Sequence, residues 1–340
     1  MQPASAPPVV NDAAAWSERL AAKRTGREGY FAFYSSVAGA ITTNPALMAV
    51  PIDDHAVVRG HAIFDTCSLV DGRLYRLQIH LDRLFASAAA ARLPLPYGAD
   101  EATNRTAMTA VVRAACRACG RPTCDVRFWL TAGTGHLGVT PDGCAPAFYV
   151  LCFGGLPGLE GAEAHGIREV TVPASAVPPK PACLAEIKSN NYLLNALTMM
   201  SARERGGTFG LGVDAAGYLT ESCVLNVCVV GADRVLRTPP FDGILRGTTV
   251  RRVLELARRR LVAPAAGALL AGVAQERISA DDARAASEVF LCAGDTHTFA
   301  VVALDDATIG DGRPGPVHAA VARLLQDDAK SGAGNNHEPL

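Results

Sequence analysis

Lys188 sits in the run Glu186-Ile187-Lys188-Ser189-Asn190-Asn191-Tyr192-Leu193, and Glu221 follows in Gly217-Tyr218-Leu219-Thr220-Glu221-Ser222. An amine on an otherwise apolar, Asn-rich segment can be held partly desolvated, which lowers its pKa and lets the free base attack an aldehyde carbon. A carboxylate supplies the other half of one particular chemistry. Beside a pyridine nitrogen it keeps that nitrogen protonated, so that the ring accepts electrons from a carbanion. The pair suits pyridoxal phosphate (PLP). Taken alone, one Lys and one Glu are ordinary solvated surface charges, so the case rests on what surrounds them.

A second constellation fits an anion. In Ile244-Leu245-Arg246-Gly247-Thr248-Thr249 a glycine and two threonines open an amphipathic helix expected over 248–259, with Thr at its cap. A helix N-terminus aims free N–H groups and the positive end of its dipole outward, and both hydroxyls can add hydrogen bonds to a phosphate. Arg83, in His80-Leu81-Asp82-Arg83-Leu84, could make a charge-assisted, bidentate contact on the other side of that phosphate. An ordinary capped helix and an exposed partner of a helix carboxylate would account for the same residues.

The run around Lys188 resembles the K-S/T-x-N-Y-L segment of fold-type IV PLP enzymes, the group containing D-amino acid transaminases, branched-chain aminotransferases and aminodeoxychorismate lyases. Glu221 with Asn226 resembles that family's G-x-x-x-E-G-S/T-x-x-N element, His80 to Ser87 its H-x-x-R-L-x-x-S helix, and Ile244 to Thr249 its I-L-x-G-x-T-R turn. Asp53-Asp54-His55 and the run Arg59 to Thr66 look closest to plant-type D-amino acid transaminase-like proteins. The resemblance implies an α/β (α+β) two-domain fold of the D-amino acid aminotransferase type, and a homodimer whose active site lies between the domains. It also implies PLP as cofactor, with Lys188 as the catalytic residue that holds it, Glu221 at its pyridine nitrogen and Leu245 against its ring. Gly247, Thr248, Thr249 and Arg83 would surround its phosphate. The partners that follow are small molecules, an amino donor and a 2-oxo acid acceptor. In this family the lysine works on the opposite cofactor face from the commoner aminotransferases, which is compatible with D-substrates without selecting them. Relatives also reach the phosphate with a Ser/Thr pair near the C-terminus; Cys292-Ala293-Gly294-Asp295 stands there instead, leaving only backbone groups.

The substrate end is less explicit. D-amino acid transaminases carry an Arg and a His in the loop after the strand that here reads Arg127-Phe-Trp-Leu-Thr-Ala132-Gly133-Thr134-Gly135-His136. His136 is kept and Ala132 ends the strand, so a substrate carboxylate would fall to His136, to backbone N–H groups or to Arg59. Phe64 stands where relatives have a tyrosine, which makes the pocket more apolar and brings (R)-primary amines into consideration beside D-amino acids. A 4-amino-4-deoxychorismate lyase, a branched-chain L-amino acid aminotransferase and a non-catalytic PLP-binding protein are the competing readings.

The composition agrees with a protein that buries a large core: 340 residues, 49% hydrophobic, net charge −1. That charge gives no electrostatic case for nucleic acid or a membrane surface, and no apolar run reaches the ~18–20 residues that span a bilayer. Ten scattered cysteines without a signal-like N-terminus point to free thiols in the cytoplasm. Cys116-Arg-Ala-Cys119 followed by Cys124 has metal-like spacing but lacks a fourth ligand nearby, so no metal is expected; a helix ending at Gly120 would make these cysteines core residues.

Punctuation divides the chain into a variable extension over 1–28 with a short helix over 13–23, a small α/β domain over 29–153, a Gly-rich linker over 154–166, a larger cofactor-binding domain over 167–329 and a polar, disordered tail over 330–340. Within these, periodicity predicts strands over 31–37, 62–70, 73–78, 125–132, 147–153, 169–172, 209–213 and 224–230. A strand over 288–292 is expected to close the second sheet. Helices are predicted over 80–93, 103–119 and 191–203, the last with an apolar face of Leu193, Leu194, Leu197 and Met200.

Overall fold

Short-period alternation gives way to helical spacing at Arg76, and the first half of the fold is organised around that change. The computed structural model describes residues 7–23, 29–154, 161–262, 268–331 and 337–340. Its first half runs α1 (Ala13–Lys23), β1 (Tyr30–Ser35), β2 (Ala40–Thr42), α2 (His55–Val58), β3 (Ala62–Val70), β4 (Arg73–Tyr75), α3 (Leu77–Ala90), α4 (Glu101–Cys119), β5 (Cys124–Thr134) and β6 (Ala145–Phe153). The six strands form an antiparallel sheet in the order β4-β3-β5-β6-β1-β2. Leu81 and Leu84 of α3 and Met108 and Val112 of α4 pack on Leu69, Val126, Phe128 and Phe148 of the sheet. The return strand is shorter than expected, ending at Tyr75. Arg76 takes a left-handed φ of +54°, which turns the chain straight into α3 three residues before the predicted start. Asp100 caps α4 by accepting from Thr103 N (2.8 Å), and Gly120 at φ +64° ends it where the sequence places the stop.

The second half contains α5 (Ala162–His165), β7 (Ile167–Glu169), β8 (Thr171–Pro173), α6 (Ala182–Ala185), α7 (Leu193–Glu204), β9 (Leu211–Val213), β10 (Leu219–Ser222), β11 (Asn226–Val230), β12 (Val235–Thr238), α8 (Thr248–Arg260), β13 (Gly272–Gln275), α9 (Ala280–Arg284), β14 (Glu288–Ala293), β15 (His297–Leu304), β16 (Ala307–Thr308), α10 (Pro316–Lys330) and β17 (His337–Pro339). A three-stranded sheet, β10-β9-β8, stands beside a larger one, β13-β12-β11-β14-β15-β16, with β7 also pairing β15. Val250, Val253 and Ala257 of α8 and Val317, Val321 and Leu325 of α10 cover one face of the larger sheet.

Five expectations need correction. The strand over 169–172 is split at Val170 between two sheets. The strand at 288–292 is central, because β15, unread in the sequence, pairs along its far edge. Gly247, not a threonine, is the N-cap of α8. Most of the expected apolar face of α7 points outward: Leu193 is 72% and Met200 58% exposed and Leu197 is exposed too, whereas Leu194 packs against Val170, Val172 and Val177 and Asn195 and Ala202 are buried. The tail is ordered at both described ends, since Lys330 completes α10 and β17 pairs with β4, adding a seventh strand to the first sheet. Polar composition hid that pairing because backbone groups, not side chains, make it. Residues 155–160 of the expected linker lie outside the described residues.

Besides the β17–β4 pairing, two sets of contacts tie the halves together near Lys188. The Lys188 segment adds to the end of β3, with Phe64 N donating to Lys188 O and Asn190 N to Ala62 O, both at 2.9 Å. Below it, Asp295 accepts from Ser68 N (3.0 Å) and meets His80 Nε2 (2.8 Å); His80 Nδ1 lies 2.8 Å from Asp65. Burial works against a charged His80 ring, but the carboxylates of Asp295 and Asp65 outweigh it and push its pKa up to about 9. A folded-state value raised above the unfolded one gives stability that is complete below about pH 6.5 and is lost as pH rises through about 9. Denaturant midpoints measured from pH 6 to 10 should therefore fall across that window. His80→Gln should remove the slope and cost about 3–5 kcal/mol by leaving two buried carboxylates short of a cation.

Candidate active site

β3 and β5 pair so that Phe64 lies opposite Trp129 and Thr66 opposite Arg127, which puts these four side chains on one face of the sheet. The segment added to β3 brings Lys188 to the same place, its Nζ 4.6 Å from the Phe64 ring centroid. Burial lowers the Lys188 pKa to about 7, with Arg83 and Arg127 adding repulsion and Asp65 and Glu221 opposing it. The amine is thus available as a free base near neutral pH, the property inferred from its apolar segment.

Glu221, on β10, accepts from Leu245 N at 3.1 Å, its one hydrogen bond among the described residues. Burial raises its pKa, with Lys180, the Leu245 N–H and Lys188 acting in the other direction. Glu221, Lys188, Lys180, Tyr192, Asn226 and Leu245 line one pocket. A buried carboxylate with a single donor fits a cationic ring N–H, so the residues present suit the pyridine end of PLP. Asn226 Nδ2 donates to Leu245 O (3.0 Å), and its Oδ1 lies 1.9 Å from where a Cβ on Gly247 would sit. Only glycine permits that approach, so Gly247 fixes the turn that holds Leu245 and opens α8.

Thr248 and Thr249 are buried in the first turn of α8. Thr249 Oγ1 accepts from Asp295 N (2.9 Å), so the loop lacking the relatives' hydroxyl pair is tied to the helix start through its backbone. Arg83 has a different immediate partner from the one expected. Its Nε and one terminal nitrogen both donate to the fully buried Asp65 at 2.7 Å, a bidentate pair. Arg83, Asp65, His80 and Asp295 make a neutral buried row when His80 is protonated. The row connects the α8 turn to the floor of the Lys188 site.

Neither expected substrate contact stands beside Lys188. Arg59 donates to Gly138 O (3.1 Å), Leu137 O (2.5 Å) and Val58 O (3.0 Å), and His136 accepts from Gly138 N at Nδ1 (2.9 Å) while its Nε2 meets Asp142 O (2.8 Å). Both are spent on shaping the 136–142 loop. The glycine spacing Gly133-x-Gly135-x-x-Gly138 in that loop resembles a dinucleotide-binding turn, but β6 follows it, not a helix. The guanidinium that does reach the site is Arg127. It donates from Nε to Thr66 Oγ1 (3.0 Å) and lies 5.2 Å from the Phe64 centroid, with no carboxylate paired to it among the described residues. Its signal in the sequence was a lone arginine inside an apolar strand, which becomes legible only when the register with Phe64 is known.

When bound, PLP supplies an aldehyde carbon for the amine and a ring that takes up an electron pair from the substrate Cα. Lys188 would hold that aldehyde carbon and, once freed, carry a proton to and from Cα. Glu221 would keep the ring nitrogen protonated, Leu245 would abut the ring, and the α8 turn with Arg83 would face the phosphate.

The family model "Amino-transferase class IV" matches residues 62–304. Among curated proteins, the chain is 35% identical over 317 residues to a chloroplastic D-amino-acid transaminase of Arabidopsis thaliana, covering 93% of this chain and 80% of that one. It is 28% identical over 233 residues to a bifunctional aminodeoxychorismate lyase and D-amino acid transaminase of Mycobacterium tuberculosis, covering 64% and 75%. Among solved structures, the branched-chain amino acid aminotransferase of Escherichia coli superposes with a TM-score of 0.77 at 23% identity, over 91% of this chain and 99% of that one.

With Lys188 titrating at about 7, cofactor-free protein should take up PLP at a rate that rises with pH through about 7 and then levels, as followed by stopped-flow absorbance. Arg127→Gln removes a repelling charge and should move that midpoint upward; Lys188→Ala should abolish the covalent hold altogether. Glu221→Gln should leave uptake intact while lowering turnover about a hundredfold or more.

Proposed function

The chain belongs to the class IV aminotransferase family of PLP-dependent enzymes, and from that premise we propose that it transfers the amino group of a D-amino acid to a 2-oxo acid. The observation that carries this reading is the Arg127 guanidinium, unpaired with any described carboxylate and packed on the same aromatic ring as Lys188. Burial lowers its pKa from the ordinary arginine value, and a substrate carboxylate would compensate that desolvation with charge-assisted hydrogen bonds. Phe64 then acts as the spacer between the two groups, and its missing hydroxyl narrows the polar contacts to Arg127. Preference for the D-enantiomer is supported by the 35% identity to the plant D-amino-acid transaminase.

In this scheme Lys188 would take the proton from substrate Cα and carry it for return, Arg127 would hold the substrate carboxylate, and bound PLP would supply the carbon that carries the amino group from donor to 2-oxo acid. A lyase that eliminates pyruvate from 4-amino-4-deoxychorismate is the second reading, favoured by the bifunctional M. tuberculosis relative. Arg127 argues against (R)-primary amines without a carboxylate as principal donors. The exposed Leu137, Val139, Ile52 and Val57, gathered where Arg59 binds the 136–142 loop, support a homodimer through this face. Ten free cysteines support a reducing compartment such as the cytoplasm.

The test is the visible spectrum of the holoenzyme mixed with D-alanine, L-alanine or an (R)-amine, each without acceptor. Bleaching to the pyridoxamine form by D-alanine alone is expected. Bleaching by L-alanine alone would overturn the stereochemical assignment, and pyruvate released from aminodeoxychorismate without an acceptor would favour the lyase. Arg127→Gln should raise KM for D-alanine about ten- to a hundredfold, and an unchanged KM would remove Arg127 from the carboxylate site.

A further inference from the structure

The thiols that the sequence leaves one ligand short are completed in space by Cys152. Cys116 and Cys119 lie one turn apart at the end of α4, Gly120 reverses the chain, and Cys124 opens β5 with its sulfur 4.0 Å from that of Cys119. Cys152, far along the chain on β6, lies opposite Ala32 of β1 and places its sulfur 4.0 Å from that of Cys116. The sulfurs of Cys119, Cys124 and Cys152 all lie within 4.8 Å of one another. Thiolates at about 2.3 Å from a zinc ion stand about 3.8 Å apart, so the three converging sulfurs need to close by up to about an ångström, whereas Cys116, which meets only Cys152, has to turn its side chain to join them.

The geometry points to a soft-metal site, for zinc or another thiophilic ion, held by Cys119, Cys124 and Cys152, with the fourth position taken by solvent or by Cys116 after a turn of its side chain. Cys116, Cys124 and Cys152 are buried while Cys119 is partly exposed, which gives an ion a route from solvent through one ligand. Each thiol that binds gives its proton to water, and no electrons move. Arg113, Arg117 and Arg121 flank the ligands in sequence, and the Arg121 guanidinium rests 4.9 Å from the Phe31 centroid on the adjacent strand, supplying positive charge beside a thiolate cluster. The site staples the end of α4 to β5 and β6. It is separate from the residues that serve Lys188. A second group, His55, His136 and Cys144, also converges, but both ring nitrogens of His136 are already engaged with its own loop.

The experiment is zinc loading of the reduced, PLP-bound enzyme by dialysis, followed by elemental analysis and zinc X-ray absorption. One zinc per chain is expected, in a shell of three or four sulfurs at about 2.3 Å, with a rise in the thermal midpoint over the zinc-free enzyme. Cys119→Ser and Cys124→Ser should lose both, whereas Cys183→Ser, exposed and outside the cluster, should keep them. Transaminase activity of Cys119→Ser shows that the variant is folded. Zinc retained equally by Cys119→Ser, a shell mixing nitrogen with sulfur, or no zinc above background would each overturn the proposal. So would loss of two titratable thiols in metal-free buffer, which would mean a disulfide instead.

Discussion

Asp65 is the group on which the rest of the site depends. It is fully buried on β3, and its pKa lies well below the ordinary carboxylate range despite burial, because Arg83 and His80 both hold its charge. A charge so enclosed survives only with partners in fixed positions, and those partners come from α3. His80 in turn reaches Asp295 on the loop before β15, so one ionic row orders strand, helix and the loop that touches the α8 turn. Lys188 feels the same row: Arg83 opposes its charge and Asp65 supports it. Burial is the first cause of the lowered pKa of that amine, and the charges of the row then adjust it from both directions.

Much of this was legible in advance, for identifiable reasons. Lys188, Glu221 and the Gly247-Thr248-Thr249 turn belong to short motifs in which residue type and spacing carry the chemistry, and the structure brings Lys188 and Glu221 to one pocket with Leu245, two residues before that turn. The 13–23 helix and the 62–70 strand are legible from the residue pattern, and the end of the 103–119 helix from Gly120. Local signals failed where the determinant was distant. Arg76 turns left-handed because β4 must hand over to α3 in one residue; nothing in its own type says so. β17 exists because the edge of β4 is free to accept it. Arg127 carries no local signal inside its strand, since its placement depends on register with Thr66 and Phe64.

α7 shows the same limit from another side. Leucines and methionine at helical spacing predict an inward face, yet Asn195 is the residue turned in, donating to Cys223 O beside the cofactor pocket. Periodicity reports that a helix has an apolar side; it cannot say whether that side meets its own chain.

The strand at 337–339 has a consequence for synthesis. The first sheet is assembled from residues 30–153, but its β4 edge is covered only when the last described residues have left the ribosome. Until then a nascent chain carries an open ladder of backbone donors and acceptors, the arrangement most prone to pair with a neighbouring copy. Any copy whose residues 337–339 are not yet docked carries that risk, even with Lys188 and Glu221 already in place.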